Sequence, residues 1–288
     1  MSTVNSLGVI GAGQMGGGIA QVAAVAGLNV TVFDSFPGAT EKCKGVHKKS
    51  LGKFVEKAKL TQLDADAALA RIKYTESLDG LKGSEWVVEA VVEDVKVKKD
   101  IFTKLAAMFP DDKVVLATNT SSISITEIAT AAGASAHRVV GMHFFNPVPL
   151  MQLVEVIPGI QTSSDVTERT IALATRMGKT PLKANDRAGF ISNRVLMPMI
   201  NEAFYAWMEG VAEPEAIDGI MKLGCNFPMG PLRLADFIGL DTCAHIMNVL
   251  ADGLNNDRYR PCPLLRQLVT AGRLGDKSGR GVFEYAKK

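Results

Sequence analysis

The chain has 288 residues, of which 47% are hydrophobic and 22% charged, with a formal net charge of +2. That length accommodates one large domain or two smaller ones, and the apolar share is enough for a substantial core, which argues against a disordered chain. The small charge, without a dense basic block, speaks against nucleic-acid or membrane-surface binding, and no apolar run approaches ~18 residues, so no membrane span is expected.

The four cysteines, Cys43, Cys225, Cys243 and Cys262, stand far apart and form no C-x-x-C pair. We expect reduced, packed thiols, with no disulfide framework and no metal site. A strand pattern begins within ten residues of Met1, leaving no room for a signal peptide ahead of it. The closing Ala-Lys-Lys is not a peroxisomal address. A reducing compartment is expected, and cytoplasm is the expected location.

Leu7 to Ile10 is a short apolar run that suits a buried strand, and Gly11, Gly13 and Gly16 follow it at G-x-G-x-x-G spacing, with Gln14 and Met15 between them. A helical pattern continues through Ile19, Val22, Ala23 and Ala26. Each glycine answers a separate need. Gly11 permits the tight turn, Gly13 lets backbone approach a pyrophosphate, and Gly16 lets the helix pack on the strand. Phosphates would sit over the N–H groups at the positive end of the helix. Three glycines alone are a weak signal, but context strengthens them. The helix stops at Gly27, and a second strand, Val30 to Phe33, ends at Asp34, 23 positions after Gly11. A carboxylate there suits a ribose 2′-hydroxyl and repels a 2′-phosphate, so NAD is favoured over NADP. The plainer reading is a βαβ turn with an empty loop.

Residues 37–73 read as helix, with Lys42, Lys48, Lys49, Lys53, Lys57 and Lys59 forming a basic face and Leu51, Phe54, Val55 and Leu60 an apolar one. Two readings stay open for the lysines: a solvated surface, or a clamp for an anion such as the phosphates of coenzyme A. Trp86 to Val92 is apolar except for Glu89, as a parallel strand buried on both faces should be, and Glu93 closes it. Asp100 to Met108 reads as helix. Val114 to Ala117 is the next strand, running into Thr118-Asn119-Thr120-Ser121-Ser122. Ligands in open α/β sheets bind beyond such carboxyl ends, so this cluster is a candidate substrate floor. It is also a helix-cap signal, because Ser122 or Ser124 precedes Glu127.

Val139 to His143 is a strand with the histidine at its end, and Leu153 to Ile157 is another. Asn146-Pro147-Val148-Pro149 forces a turn between them. If the segments fold back about Pro149, His143 and Glu155, each six residues from it, face one another. An imidazole backed by a carboxylate is the arrangement a general base needs. His47, His137 and His245 lack this setting and receive no role.

Asp165 to Gly178 reads as helix, and Pro181 starts an extended piece. After Asp186 helical patterns dominate. The pattern as a whole implies an α/β chain: a Rossmann-type doubly wound, mostly parallel sheet over residues 1–185, then an all-α carboxy-terminal domain over residues 186–288. Between Phe190 and Trp207 apolar residues cover a wide arc, which implies a helix buried on several sides, as at a contact between subunits, with a kink expected at Pro198. Asn193 in its early turns either aims an amide at a ligand or is an ordinary helix residue. Further helices are expected over 214–223, 232–237, 242–253 and 264–270, and a strand-like piece over 282–285 after the basic, glycine-rich loop 275–281.

The landmarks GVIGAGQMGGGIAQ, VVEAVVED, NTSSISI, GMHFFNPVPLMQLVEV, AGFISNRVLMPMINEA and GPLRLADFIGLD, in this order, resemble the L-3-hydroxyacyl-CoA dehydrogenase family, in particular its short-chain 3-hydroxybutyryl-CoA members. The resemblance covers nearly the whole chain. It implies an oxidoreductase that passes hydride reversibly between NAD and an L-3-hydroxyacyl-CoA/3-ketoacyl-CoA pair. Carried over by residue, it implies His143 and Glu155 as the catalytic pair and Ser121 and Asn193 as catalytic, substrate-contacting groups. It implies cofactor contacts at Gly11, Gly13, Gln14, Met15, Gly16, Asp34, Glu93, Lys98, Asn146 and Lys277, and coenzyme A contacts at Ser50 and Lys57. It further implies a homodimer. The chain departs from the pattern at Phe227, where relatives usually carry histidine. Two rivals stand beside this reading: a dehydrogenase for a free hydroxy acid or sugar acid, and a non-catalytic NAD-binding protein.

Overall fold

The computed structural model describes residues 4–286, and it divides into two compact units, Met1–Asp186 and Arg187–Lys288. The first is built on β1 (Ser6–Ile10), α1 (Gln14–Val25), β2 (Asn29–Phe33), α2 (Ala39–Glu56), α3 (Gln62–Ala70), β3 (Ile72–Thr75), β4 (Trp86–Glu89), α4 (Val95–Met108), β5 (Val115–Thr118), α5 (Ile125–Thr130), β6 (Val139–Phe144), β7 (Leu153–Pro158), α6 (Ser164–Arg176) and β8 (Thr180–Lys183). The strands form one sheet in the order β3-β2-β1-β4-β5-β6-β7-β8, parallel throughout except that β7 runs antiparallel to β6. The order reverses at β1, so the crevice beyond its carboxyl end is a topological switch point, where ligands of such sheets bind. The central strands are apolar on both sides because helices cover both faces, and Leu7, Val9, Val88, Val115, Ala117, Val140 and Val154 sit in one buried cluster.

Several local features depart from expectation. Residues 37–73 are not one helix. The chain breaks after Glu56, with Ala58 at φ 51°, resumes as α3 under a Thr61 cap, and then enters the short edge strand β3. A four-residue strand of mixed polarity, Ile-Lys-Tyr-Thr, has little periodicity of its own and takes its identity from pairing with β2. β4 ends at Glu89, not Val92, because Ala90 to Val92 leave the sheet. Ser124 caps α5 by accepting the Glu127 N–H at 3.2 Å, while the Glu127 carboxylate turns to Lys99 instead of closing the box. Asp186 accepts three further donors at the same helix start, from Ser124 Oγ, Ile125 N and Thr126 N.

The second unit contains α7 (Ser192–Met208), α8 (Pro214–Gly224), α9 (Pro231–Ile238), α10 (Leu240–Gly253) and α11 (Pro263–Thr270) around Phe204, Leu232, Leu240, Met247 and Leu250. α7 runs on through Pro198; it buries Met197, Ile200 and Phe204 but leaves Val195 67% exposed, so within one chain it is covered on one side rather than on several. Residues 282–285 form no strand; they wrap Asp236, which accepts from Val282 N, Phe283 N and the Tyr285 hydroxyl. Cys43, Cys243 and Cys262 are packed in the interior as expected, whereas Cys225 is exposed. Among the described residues no single helix is long and apolar enough to cross a membrane.

Candidate active site

The glycine loop has the geometry a pyrophosphate requires. Gly11 adopts φ 101°, and a side chain there would strike the Ala90 carbonyl at 2.5 Å. A side chain at Gly16 would meet the Gly11 carbonyl at 1.9 Å, so the close seating of α1 on β1 depends on its absence. Around Gly13 nothing lies within 4 Å, which leaves an open cradle in front of α1. Gly13 is the N-cap of that helix, offers no side-chain cap, and is followed by no acid in the first turn. The uncompensated positive end suits a diphosphate. Asp34, one residue past β2, accepts the N–H groups of Ala12 at 2.7 Å and Phe36 at 2.9 Å. These bonds fix a carboxylate that keeps acceptor capacity for a ribose hydroxyl. The residues present therefore fit a dinucleotide.

A cavity of about 790 Å³ opens from this loop. Gly13, Gln14 and Asp34 line it at one end, Ser50, Lys53 and Lys57 on α2 and the following turn at another, and Asn146 with the Pro147–Leu150 turn closes a third side. One cavity thus gathers several of the expected cofactor residues and both expected coenzyme A residues. Lys42, Lys53, Lys57 and Lys59 line it and are exposed, whereas Lys48 and Lys49 face elsewhere.

His143 and Glu155 occupy directly opposite positions in the β6–β7 pair. Directly opposed residues of an antiparallel pair share a face. The imidazole Nδ1 lies 2.7 Å from Glu155 Oε2, and both side chains are buried. The carboxylate can only accept, so Nδ1 carries the proton and Nε2 is the basic nitrogen. The Phe145 ring, 4.8 Å away by centroid, flanks the imidazole.

Ser121 lies in the loop after β5, and that loop hangs from one acid. Glu93 Oε1 accepts from Thr120 Oγ1 at 2.6 Å, Ser121 N at 2.8 Å, Ser122 N at 2.9 Å and Ser122 Oγ at 2.9 Å. Burial alone would push the Glu93 carboxyl up, but the Lys98 ammonium and these donors together hold it below its ordinary value. The resemblance implies that Lys98 contacts the cofactor; the structure places its ammonium, 1% exposed, at 2.7 Å from Glu89 and 3.4 Å from Glu93. Its immediate partners are these two acids. Glu89, fully buried in β4, also accepts from Thr118 Oγ1 at 2.7 Å and Val91 N at 2.7 Å. Asn119 Oδ1 accepts the Phe144 N–H at 2.8 Å, tying the serine loop to the end of the histidine strand.

Sequence reasoning gave Glu89 and Lys179 no role, and it read Asn119 as substrate floor without its tie to Phe144. An acid inside VVEAVV is itself a signal, since a charge buried in a parallel strand must find a partner. Lys179 is buried, and burial lowers its ammonium pKa; its Nζ donates to the carbonyls of Val148 and Met151, which anchors the proline turn. Nothing in its sequence context marks that duty. In the second unit, Asn193 is buried in the first turn of α7, and Lys277 pairs with Asp241 at 2.6 Å. Among the described residues, no group of three or more His, Cys, Asp or Glu is placed to hold a metal ion.

A dinucleotide loop at a sheet switch point, followed by a helical unit, defines a class of two-part oxidoreductases. Residues 6–187 match the family described as 3-hydroxyacyl-CoA dehydrogenase, NAD binding domain, and residues 189–285 match 3-hydroxyacyl-CoA dehydrogenase, C-terminal domain. The chain is 58% identical over 278 residues to a probable 3-hydroxybutyryl-CoA dehydrogenase of Deinococcus radiodurans, covering 96% of this chain and 99% of that one. It is 47% identical to a 3-hydroxybutyryl-CoA dehydrogenase of Bradyrhizobium diazoefficiens, covering 99% and 96%. The crystal structure of (S)-3-hydroxybutyryl-CoA dehydrogenase PaaH1 from Ralstonia eutropha superposes with a TM-score of 0.95 at 47% identity, covering 99% and 100%. The chain belongs to the 3-hydroxyacyl-CoA dehydrogenase family and is an NAD-dependent oxidoreductase.

Proposed function

We propose that this enzyme interconverts L-3-hydroxybutyryl-CoA and acetoacetyl-CoA. The observation that carries the proposal is the buried Nδ1–carboxylate bond of His143 and Glu155 at the carboxyl end of a sheet whose switch point holds a dinucleotide loop. NAD, when bound, supplies the hydride acceptor for the carbon that bears the hydroxyl. The glycine loop, with Gln14 and Met15 in the first turn of α1, cradles its diphosphate; Asp34 holds the adenosine ribose and disfavours a 2′-phosphate. Asn146, in the cavity wall, and Glu93 would contact the cofactor, with Lys98 acting through Glu93.

His143 Nε2 takes the hydroxyl proton in the oxidative direction and returns it in the reductive one. Glu155 holds the ring in the tautomer that leaves Nε2 basic and offsets the imidazolium charge once it forms. Ser121 is held by a loop whose backbone is bonded to Glu93, and its hydroxyl orients the reacting oxygen. The family resemblance assigns Asn193 to the same substrate and Lys277 to the cofactor. Ser50 and Lys57 hold the coenzyme A phosphates, together with Lys42 and Lys53, which line the same cavity. Lysines on flexible stems act there as point charges.

The exposed apolar residues Val195, Val211, Ile220 and Leu223 of the helical unit support a homodimer in solution, and the buried thiols of Cys43, Cys243 and Cys262 support a reducing, cytoplasmic location. Oxidation of NADH on addition of acetoacetyl-CoA, followed at the nicotinamide absorbance, tests the function. Turnover of free acetoacetate but not of its thioester would select the free-acid dehydrogenase, and turnover of neither would select a non-catalytic binder.

A further inference from the structure

His47 carries no sequence signal, yet its surroundings are specific. It sits on the inward face of α2 with Thr40, Cys43 and Leu51 and is 1% exposed. Nε2 lies 2.7 Å from the Gly17 carbonyl in the first turns of α1. Nδ1 lies 2.6 Å from the hydroxyl of Tyr74 on β3. A carbonyl can only accept, so Nε2 carries the proton, and Nδ1 accepts from the phenol. The ring is thereby a neutral bridge through three elements, β3 to α2 to α1. Burial lowers its pKa, opposed in part by the Gly17 carbonyl, which keeps the bridging form neutral.

The helices meet closely at this point. A side chain at Gly17 would meet Cys43 Sγ at 3.0 Å and His47 Nε2 at 3.5 Å, so nothing larger than hydrogen fits under the bridge without displacing the thiol. Cys43 and His47 reach the inner wall of the cavity, which Lys42, Val46, Ser50 and Lys53 also line from α2 and Gly13, Gln14 and Gly17 line from α1. The wall that carries the lysines is thus fastened to the wall that carries the glycine loop by a buried polar contact.

We propose that His47 is a positioning residue that sets the placement of the basic helix α2 against the dinucleotide helix α1, and so determines how tightly the coenzyme A moiety is held. The proposal rests on the reading of α2 as the coenzyme A wall. The diphosphate cradle at Gly13 lies upstream of the bridge, and the His143–Glu155 pair lies on β6 and β7. Loss of the bridge shifts the lysines and leaves those two sites in place.

The test compares His47→Leu, His47→Gln, His47→Asn and Tyr74→Phe with the native full-length enzyme. Steady-state kinetics use acetoacetyl-CoA and NADH, and coenzyme A alone is titrated calorimetrically. For His47→Leu the KM for acetoacetyl-CoA and the dissociation constant for coenzyme A rise about tenfold, the upper range for one buried hydrogen bond, while kcat and the KM for NADH stay within about twofold. His47→Gln, whose amide nitrogen reaches the Nε2 position, recovers most of the affinity; His47→Asn, one bond shorter, does not. Tyr74→Phe gives a rise of roughly threefold that disappears in the His47→Leu background, as expected of groups acting as one unit.

A folded His47→Leu enzyme that binds coenzyme A like the native protein overturns the proposal. So does a fall in kcat and Tm with the thioester KM unchanged, which marks a contact that only stabilises the fold. If His47→Leu does not fold, Tyr74→Phe decides: an unchanged thioester KM is a negative result. Native enzyme that neither reduces acetoacetyl-CoA nor binds coenzyme A refutes the functional reading instead, so the two failures are distinct.

Discussion

In the proposed function His143 and the lysines of α2 both serve a ligand, and the fold treats them in opposite ways. The imidazole is buried, fixed in one tautomer by Glu155 and placed by strand register. Lys42, Lys53 and Lys57 are exposed on flexible stems along one helix and the turn after it. Proton transfer needs a nitrogen held in place before the substrate arrives, because reorganisation in the transition state adds to the barrier. Attraction of a multiply charged phosphate needs no such order. Point charges in water, each screened and each weak, do it by summation. Function on the first side is concentrated in a few atoms, and on the second it is spread over many.

The sharpest way to break this contrast is His143→Ala. Removing a general acid/base lowers kcat by roughly 10²–10⁴-fold, because proton transfer then falls to solvent. NADH affinity, read by fluorescence titration, stays near the native value, since the cradle lies on β1 and α1. A variant that turns over normally would remove His143 from the chemistry.

Next in size is a loss of stability beneath the serine loop. Lys98 is the buried cation between Glu89 and Glu93, and Lys98→Met leaves a fully buried carboxylate unpaired. Breaking a buried pair from one side destabilises by about 3–5 kcal/mol. Chemical denaturation measures it. A loss under about 1 kcal/mol would mean that the donors on Glu89 and Glu93, and not the ammonium, hold the network. Lys98→Met, Glu89→Gln is the sharpening experiment. Neutralising the stranded acid recovers part of the loss if unpaired charge is its cause.

How much of each region was readable in the sequence follows from the same contrast. The glycine loop, the alternation of strands and helices and the facing of positions 143 and 155 about Pro149 are local patterns, and each appears in the structure where its residues imply. The lysine face of α2 was readable as composition, but its break at Ala58 and the edge strand after α3 were not. There, conformation is decided by β3 pairing with β2 and not by periodicity. The partners of Glu89, Lys98, Asn119 and Lys179 were not readable for a further reason. They lie 9, 29 and 25 residues or more away in several directions, and only the folded sheet brings them together. His47 is the extreme case, a histidine between lysines that reads as surface and is the most enclosed polar side chain on its helix.

That enclosure gives a pH test that separates the two styles. The folded-state pKa of His47 lies below its unfolded value of 6.5, mainly through burial. Between those two values the unfolded chain binds more protons than the folded one, so stability rises with pH across that interval. The contribution is complete above about 6.5 and is lost as pH falls toward the lowered folded value. Urea midpoints taken from pH 7.5 down to 5 should fall for the native protein and fall less for His47→Gln. Equal slopes for the two proteins would show that other groups set the acid limb.

The smallest effects belong to the solvated side, where the comparison is most easily blurred. Lys57→Ala removes one exposed charge from the cavity wall, worth roughly two- to fivefold in the KM for acetoacetyl-CoA on the scale of exposed ion pairs. kcat should not change, since Lys57 lies in the turn after α2 and the proton-transfer pair on β6 and β7. The diagnostic is ionic strength. At 0.1 M salt the screening length is about 10 Å, and it contracts to about 3 Å at 1 M, so a contribution made through solvent fades between them. The native and Lys57→Ala KM values should therefore converge as salt rises, whereas the deficit of His143→Ala in kcat should persist at every salt concentration. A Lys57→Ala penalty that survives 1 M salt would mean that this lysine is held in a formed, desolvated contact with the substrate, and the division between an ordered catalytic side and a diffuse binding side would then fail at that position.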